Sequence, residues 1–123
     1  MPIINPFRKG ANAEREIAHI LSRATGHAWK RIGMPEKHKV SLFGDVRDMC
    51  KDSSCPYKRI YIDVKNRQNN GPKARMEWWE KTVDDANTEE PILIYKKDRQ
   101  WFVKDNGGEY TLKVWIKSLT LRF

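Results

Sequence analysis

Residues 59–67 read RIYIDVKNR, and the order of residue types in this stretch decides the fold class. Ile60, Ile62 and Val64 alternate with Tyr61, Asp63 and Lys65, the two-residue period of a β-strand. The first set faces a core and the second faces away from it. That second face carries a carboxylate and an ammonium group one residue apart on a common side. In isolation such a D-x-K is a surface ion pair worth about 0–1 kcal/mol. Its sequence neighbours decide whether it is more than that.

The preceding candidate strand is GDVRDMC (44–50), joined to KRIYIDVK (58–65) by the polar turn KDSSCPY. A hairpin sets the start of one strand beside the end of the next, so Asp45 approaches Asp63. Two carboxylates at close range repel unless a proton or a cation lies between them. A hard divalent cation meets that need, because Mg²⁺ takes oxygen ligands and binds one or two carboxylates together with substrate phosphate. Lys65 beside such a site is placed to orient a water nucleophile and to offset developing negative charge.

A third carboxylate comes from the first helix. Ile17, Ile20, Leu21 and Ala24 repeat at i, i+3, i+4 and i+7, which predicts an amphipathic helix starting near Asn12 and stopping at Gly26. Residues 1–9, with two prolines, read as an extended arm before it. On the helical wheel Glu14 lies about 70° to one side of the apolar stripe and Glu16 about 90° to the other. Either can reach over a sheet, and the wheel does not choose between them.

The remaining chain completes a mixed α/β layout. HAWKRIGM (27–34) predicts a short strand, MPEKHKVSLFG (34–44) a basic loop, and NRQNNGPK (66–73) a second loop. Met76, Trp79, Val83 and Ala86 predict a second helix whose seam reads as ordinary core, with a dimer surface as the alternative. PILIYKK and WFVKD predict adjacent strands around a turn at 98–100, followed by the turn D-N-G-G at 105–108. A C-terminal helix follows, capped by Thr111 and carrying Leu112, Trp115, Ile116 and Leu119. The expected fold is one α/β domain over residues 1–123, a central mixed sheet of about five strands flanked by helices.

Charge points to the partner. Residues 1–75 hold 16 Lys/Arg against 7 Asp/Glu, whereas residues 76–123 hold 8 against 9. All the positive excess therefore surrounds the candidate chemistry, and with a sequence pI near 9.6 it favours a nucleic acid. No run of about 20 apolar residues is present to span a bilayer, so no membrane partner is expected. MPIINPFRKG has no apolar signal core, and the expected location is the cytoplasm, that of the host cell for a viral protein. The histidines at 19, 27 and 38 accompany no nucleophile motif, and no glycine-rich phosphate loop occurs. Cys50 and Cys55 fall short of the four ligands of a structural zinc site. His38 is a conceivable third ligand with no fourth in view, so the pair reads as two thiols near a turn.

Taken together, Gly44-Asp45, seventeen intervening residues and Asp63-Val64-Lys65 resemble the metal-binding signature of the PD-(D/E)xK nuclease superfamily. KGANAER (9–15) is similar to the K-G-x-x-x-E-R that opens the first helix of archaeal-type Holliday junction resolvases, viral members included. This sequence departs from that pattern in two places: Gly44 stands where Pro is usual, and Asp63 where these resolvases usually carry Glu. The resemblance implies a restriction-endonuclease-like domain in which Asp45 and Asp63 hold Mg²⁺ or Mn²⁺ and Glu14 completes the site. It implies that Lys65 positions the water that cleaves a phosphodiester and leaves a 5′-phosphate. It further implies a homodimer making paired symmetric nicks in a four-way DNA junction. Arg8, Lys9, Arg31, Lys37, Lys39 and Arg67 are the expected phosphate contacts, which give affinity and orientation without reading sequence. Two other readings compete: a related nuclease acting on duplex, flap or single-stranded DNA, and a non-catalytic nucleic-acid-binding module.

Overall fold

The computed structural model describes residues 6–32, 44–52 and 54–122, with the side chains of residues 6–8 excepted. The chain opens with α1 (Pro6–Thr25), β1 (Trp29–Arg31), β2 (Val46–Asp48) and β3 (Ile60–Lys65). It continues through α2 (Pro72–Ala86), β4 (Glu90–Lys97), β5 (Gln100–Asp105), β6 (Gly108–Thr111) and α3 (Leu112–Thr120). The six strands form one sheet in chain order. Only β3 and β4 run parallel, Ile60 beside Glu90 through Lys65 beside Tyr95; the other neighbours are antiparallel. A parallel pair needs a crossover, and α2 supplies it.

The alternation in RIYIDVKNR sorts as expected. Ile60, Ile62 and Val64 join the main core with Ile17 and Leu21 of α1, Ile92 and Ile94 of β4, Val103 of β5, and Leu112, Trp115 and Leu119 of α3. Full burial of each large aliphatic side chain stabilises the fold by about 1.5–3 kcal/mol. The strand's other face lies under α2, where Thr82 and Ala86 are the buried helix residues. α1 ends where Gly26 takes φ +75° and donates its N–H to Ser22 O at 3.0 Å. Thr111 caps α3, accepting from Val114 N.

Three expectations need correction. The arm expected over residues 1–9 is helical from Pro6 onward; proline is tolerated in the first turn because its missing N–H has no intrahelical partner there. Residues 1–5 lie outside the described residues. Among the described residues the sheet has six strands, against about five expected, because D-N-G-G turns the chain into β6, whose Val103–Tyr110 and Lys104–Glu109 pairs continue the ladder. On α2 the expected seam divides: Met76 and Val83 are exposed, whereas Trp79 is half-buried and Ala86 buried. The helix instead turns Thr82 inward, because its hydroxyl finds two acceptors there, Asp63 Oδ2 and Trp78 O.

Candidate active site

β2 is short, but its pairing places one residue with care. Val46 lies opposite Ile62, and Asp45 N donates to Ile62 O at 2.7 Å. Asp45 is thereby set across from Asp63. Its carboxylate accepts a hydrogen bond from Val64 N at 2.8 Å. The turn into this position requires Gly44. Its φ is +79°, and a Cβ there would stand 2.7 Å from Ile62 O. Proline, locked near φ −65°, does not fit this backbone, which accounts for glycine where the resembled motif carries proline.

Asp63 sits at the α2 side of the sheet, where Thr82 Oγ1 lies 2.9 Å from its Oδ2. Thr82 has no exposed surface, so this partner is fixed within the fold. Glu14 comes from α1, its Oε2 accepting from Arg31 Nε at 2.6 Å, and its charge acts on Asp45. Glu16 points elsewhere: it is exposed and its nearest partner is Trp101 Nε1 at 3.4 Å. The geometry therefore separates the two glutamates that the helical wheel left equivalent.

Electrostatics link the four groups. Burial, then the charge of Asp63 and more weakly that of Glu14, push the Asp45 carboxyl up to about 7, against the Val64 hydrogen bond and the Lys65 ammonium. Burial raises Asp63 too, opposed by the Thr82 hydrogen bond and by Lys65. Glu14 is raised by burial although Arg31 and Lys65 pull it down. Lys65 thus acts on all three carboxyl groups at once. A donor set of these three carboxylates, with no thiol or imidazole, would suit a hard, oxygen-seeking divalent cation.

Residues 6–107 match the family described as "Phage putative PDDEXK endonuclease". The chain belongs to that family. It is accordingly a nuclease of the PD-(D/E)xK type, and its mixed sheet flanked by helices is compatible with a single restriction-endonuclease-like domain. No curated protein and no solved structure matches the chain. Among the described residues no helix is long and apolar enough to cross a membrane.

The expected phosphate contacts fare unevenly. Arg31 is engaged by Glu14. Lys9 is half-buried on α1 and Arg67 is exposed just after β3. Lys37, Lys39 and the side chain of Arg8 lie outside the described residues, as do His38 and the basic loop up to residue 43. Sequence reasoning missed Thr82. An isolated threonine in an apolar helix stripe was the signal, since a buried hydroxyl needs a partner.

A second cluster lies at the other end of β2. Asp48, 5% exposed, has its Oδ2 2.9 Å from His27 Nδ1 and 3.5 Å from Cys55 Sγ. Burial pushes the Cys55 thiol up to about 11. Among the described residues His27 is grouped with the two cysteines; His38 lies outside them.

Proposed function

We propose that this protein is a Mg²⁺-dependent, structure-selective DNA endonuclease that acts on four-way junctions as a homodimer. The single observation that supports the metal-dependent part is that Asp45, set across from Asp63 by the β2–β3 pairing, feels the charges of Asp63, Glu14 and Lys65. The resemblance of KGANAER to the resolvase helix motif supports the junction as substrate, and the basic first part of the chain supports a polyanion.

A divalent cation held by the three carboxylates would neutralise the scissile phosphate and make a bound water more acidic. The protein's own groups do the rest. Val64 N–H holds the Asp45 carboxylate, and Thr82 Oγ1 holds that of Asp63, so neither needs to reorganise when phosphate arrives. Lys65 donates a hydrogen bond to the attacking water, orients it in line with the leaving 3′ oxygen, and offsets the charge gathering on the phosphoryl oxygens. Arg31 holds Glu14 through its Nε.

The test is cleavage of a mobile four-way junction, a flap, plain duplex and single strands, each with Mg²⁺ and with chelator, repeated with Asp63→Ala. Paired symmetric nicks in the junction are expected, with the variant binding but not cutting. The family match carries no statement of substrate, and equal cutting of all four DNAs would move the assignment to a general DNA endonuclease. Cutting that persists in chelator would overturn both.

A further inference from the structure

We propose that His27, Asp48, Cys50 and Cys55 form a structural zinc site, separate from the carboxylate cluster and not used by the nuclease chemistry. Ligand atoms of His27, Cys50 and Cys55 all lie within 4.8 Å of one another, and Cys55 Sγ is 3.9 Å from His27 Nδ1. A tetrahedral zinc ion, with bonds of about 2.3 Å to sulfur and about 2.0 Å to nitrogen, holds such donors roughly 3.5–3.8 Å apart.

Asp48 supplies the fourth donor. Its side chain is 1% exposed. One oxygen, Oδ2, lies within reach of both His27 Nδ1 at 2.9 Å and Cys55 Sγ at 3.5 Å, while Oδ1 accepts from Cys50 N at 2.9 Å. Imidazole nitrogen and two sulfurs thus lie together, and the carboxylate lies against the nitrogen and the Cys55 sulfur. Thiolate and imidazole ligands select zinc over magnesium, so this set and the all-carboxylate set take different ions.

The fold explains why four residues separated in sequence meet. Trp29 pairs with Asp48, and Met49 N donates to Ala28 O at 2.8 Å, which carries His27 alongside Cys50. The connection between β2 and β3 then folds back through Cys55 N to Asp52 O and Lys58 N to Cys55 O, both 3.1 Å. Lys58 Nζ reaches Cys50 O at 3.0 Å and brings a positive charge to a site rich in anionic donors. A zinc ion here ties the ends of β1 and β2 to the connection leading into β3.

The test uses the full chain, purified under reducing conditions without chelator. Elemental analysis is expected to find one zinc per chain. Titration of the zinc-depleted protein with Co²⁺ is expected to give the intense thiolate-to-cobalt absorption and the visible bands of a tetrahedral ion. Cys50→Ser, at a half-exposed position, should weaken zinc binding by about 100-fold or more, since even outer partners of metal ligands are worth 10–100-fold. Asp63→Ala should keep full zinc occupancy, which separates this site from the nuclease site. A folded wild-type chain that retains no zinc and gives no thiolate–cobalt band, or a band unchanged in Cys50→Ser, overturns the proposal. If the serine variant does not fold, the wild-type cobalt titration decides.

Discussion

The backbone N–H of Val64 donates to the Asp45 carboxylate at 2.8 Å, so the strand that carries Asp63 also fixes the orientation of its partner acid. One strand thereby sets two of the three carboxylates and the lysine, leaving only Glu14 to arrive from a helix. The behaviour of the site should follow this division.

Thr82→Val removes the donor to Asp63 while keeping the side-chain shape. We expect cleavage to fall about 10–100-fold, with a weaker apparent affinity for Mg²⁺. The hydroxyl lowers the Asp63 carboxyl, so its loss should also move the acid limb of the pH–rate profile to higher pH. Cleavage rates across Mg²⁺ concentration and pH check both, and a uniform loss without either shift would contradict the role given to Thr82.

Gly44→Ala should destabilise the protein beyond the usual surface effect. A residue with a Cβ in the left-handed region costs roughly 1–2 kcal/mol, and here the new methyl also meets Ile62 O at 2.7 Å. Relief by backbone movement would shift Asp45. Urea unfolding should report the stability loss, and Mg²⁺-dependent cleavage should drop in the same variant.

The metal-free protein should lose stability as pH rises. Asp45 is raised in the folded state from its ordinary 3.8 to about 7. The folded chain therefore binds a proton more tightly than the unfolded chain, and this favours folding below pH 3.8. Between there and pH 7 the advantage disappears, an effect of up to about 4 kcal/mol. Glu14 and Asp63 shift in the same direction. Thermal unfolding in chelator should show Tm falling over this window, Asp45→Asn should flatten the dependence, and added Mg²⁺ should raise Tm more at pH 8 than at pH 5.

Lys65→Ala should reduce cleavage by about 10²–10⁴-fold, the range of a positioned proton-transfer or orienting group, while DNA binding measured by gel shift changes little. Parallel losses of binding and cleavage would make Lys65 a phosphate contact instead.

Much of this arrangement was legible in the order of residues. Strict alternation across Ile60–Lys65 named the strand, its buried face and the residues on the other side, because the strand period leaves no freedom. The approach of Asp45 to Asp63 followed from hairpin geometry alone. Glu14 and Glu16 could not be separated on the wheel, since both flank the apolar stripe; Arg31, from a different element, draws the first inward. Met76 and Val83 misled for the opposite reason. Their spacing suited a core, but the polar need of Asp63 rotated α2 toward Thr82. β6 went unseen because four residues between a turn and a helix cap carry too little pattern. The grouping of His27 with Cys50 and Cys55 depends on β1–β2 register, which spacing along the chain does not reveal.

The ladder joining β2 to β3 is brief, with Val46 beside Ile62 as its registered pair. Short ladders are where local opening is cheapest, so the segment carrying this acid should open more readily than β4 and β5. Amide hydrogen exchange at residues 45–48 should therefore slow when a divalent ion joins Asp45 to Asp63, while β4 and β5 stay as protected as before. Ion loading would then work as a clasp on the sheet margin, making local order at that margin a condition of being ready to cut.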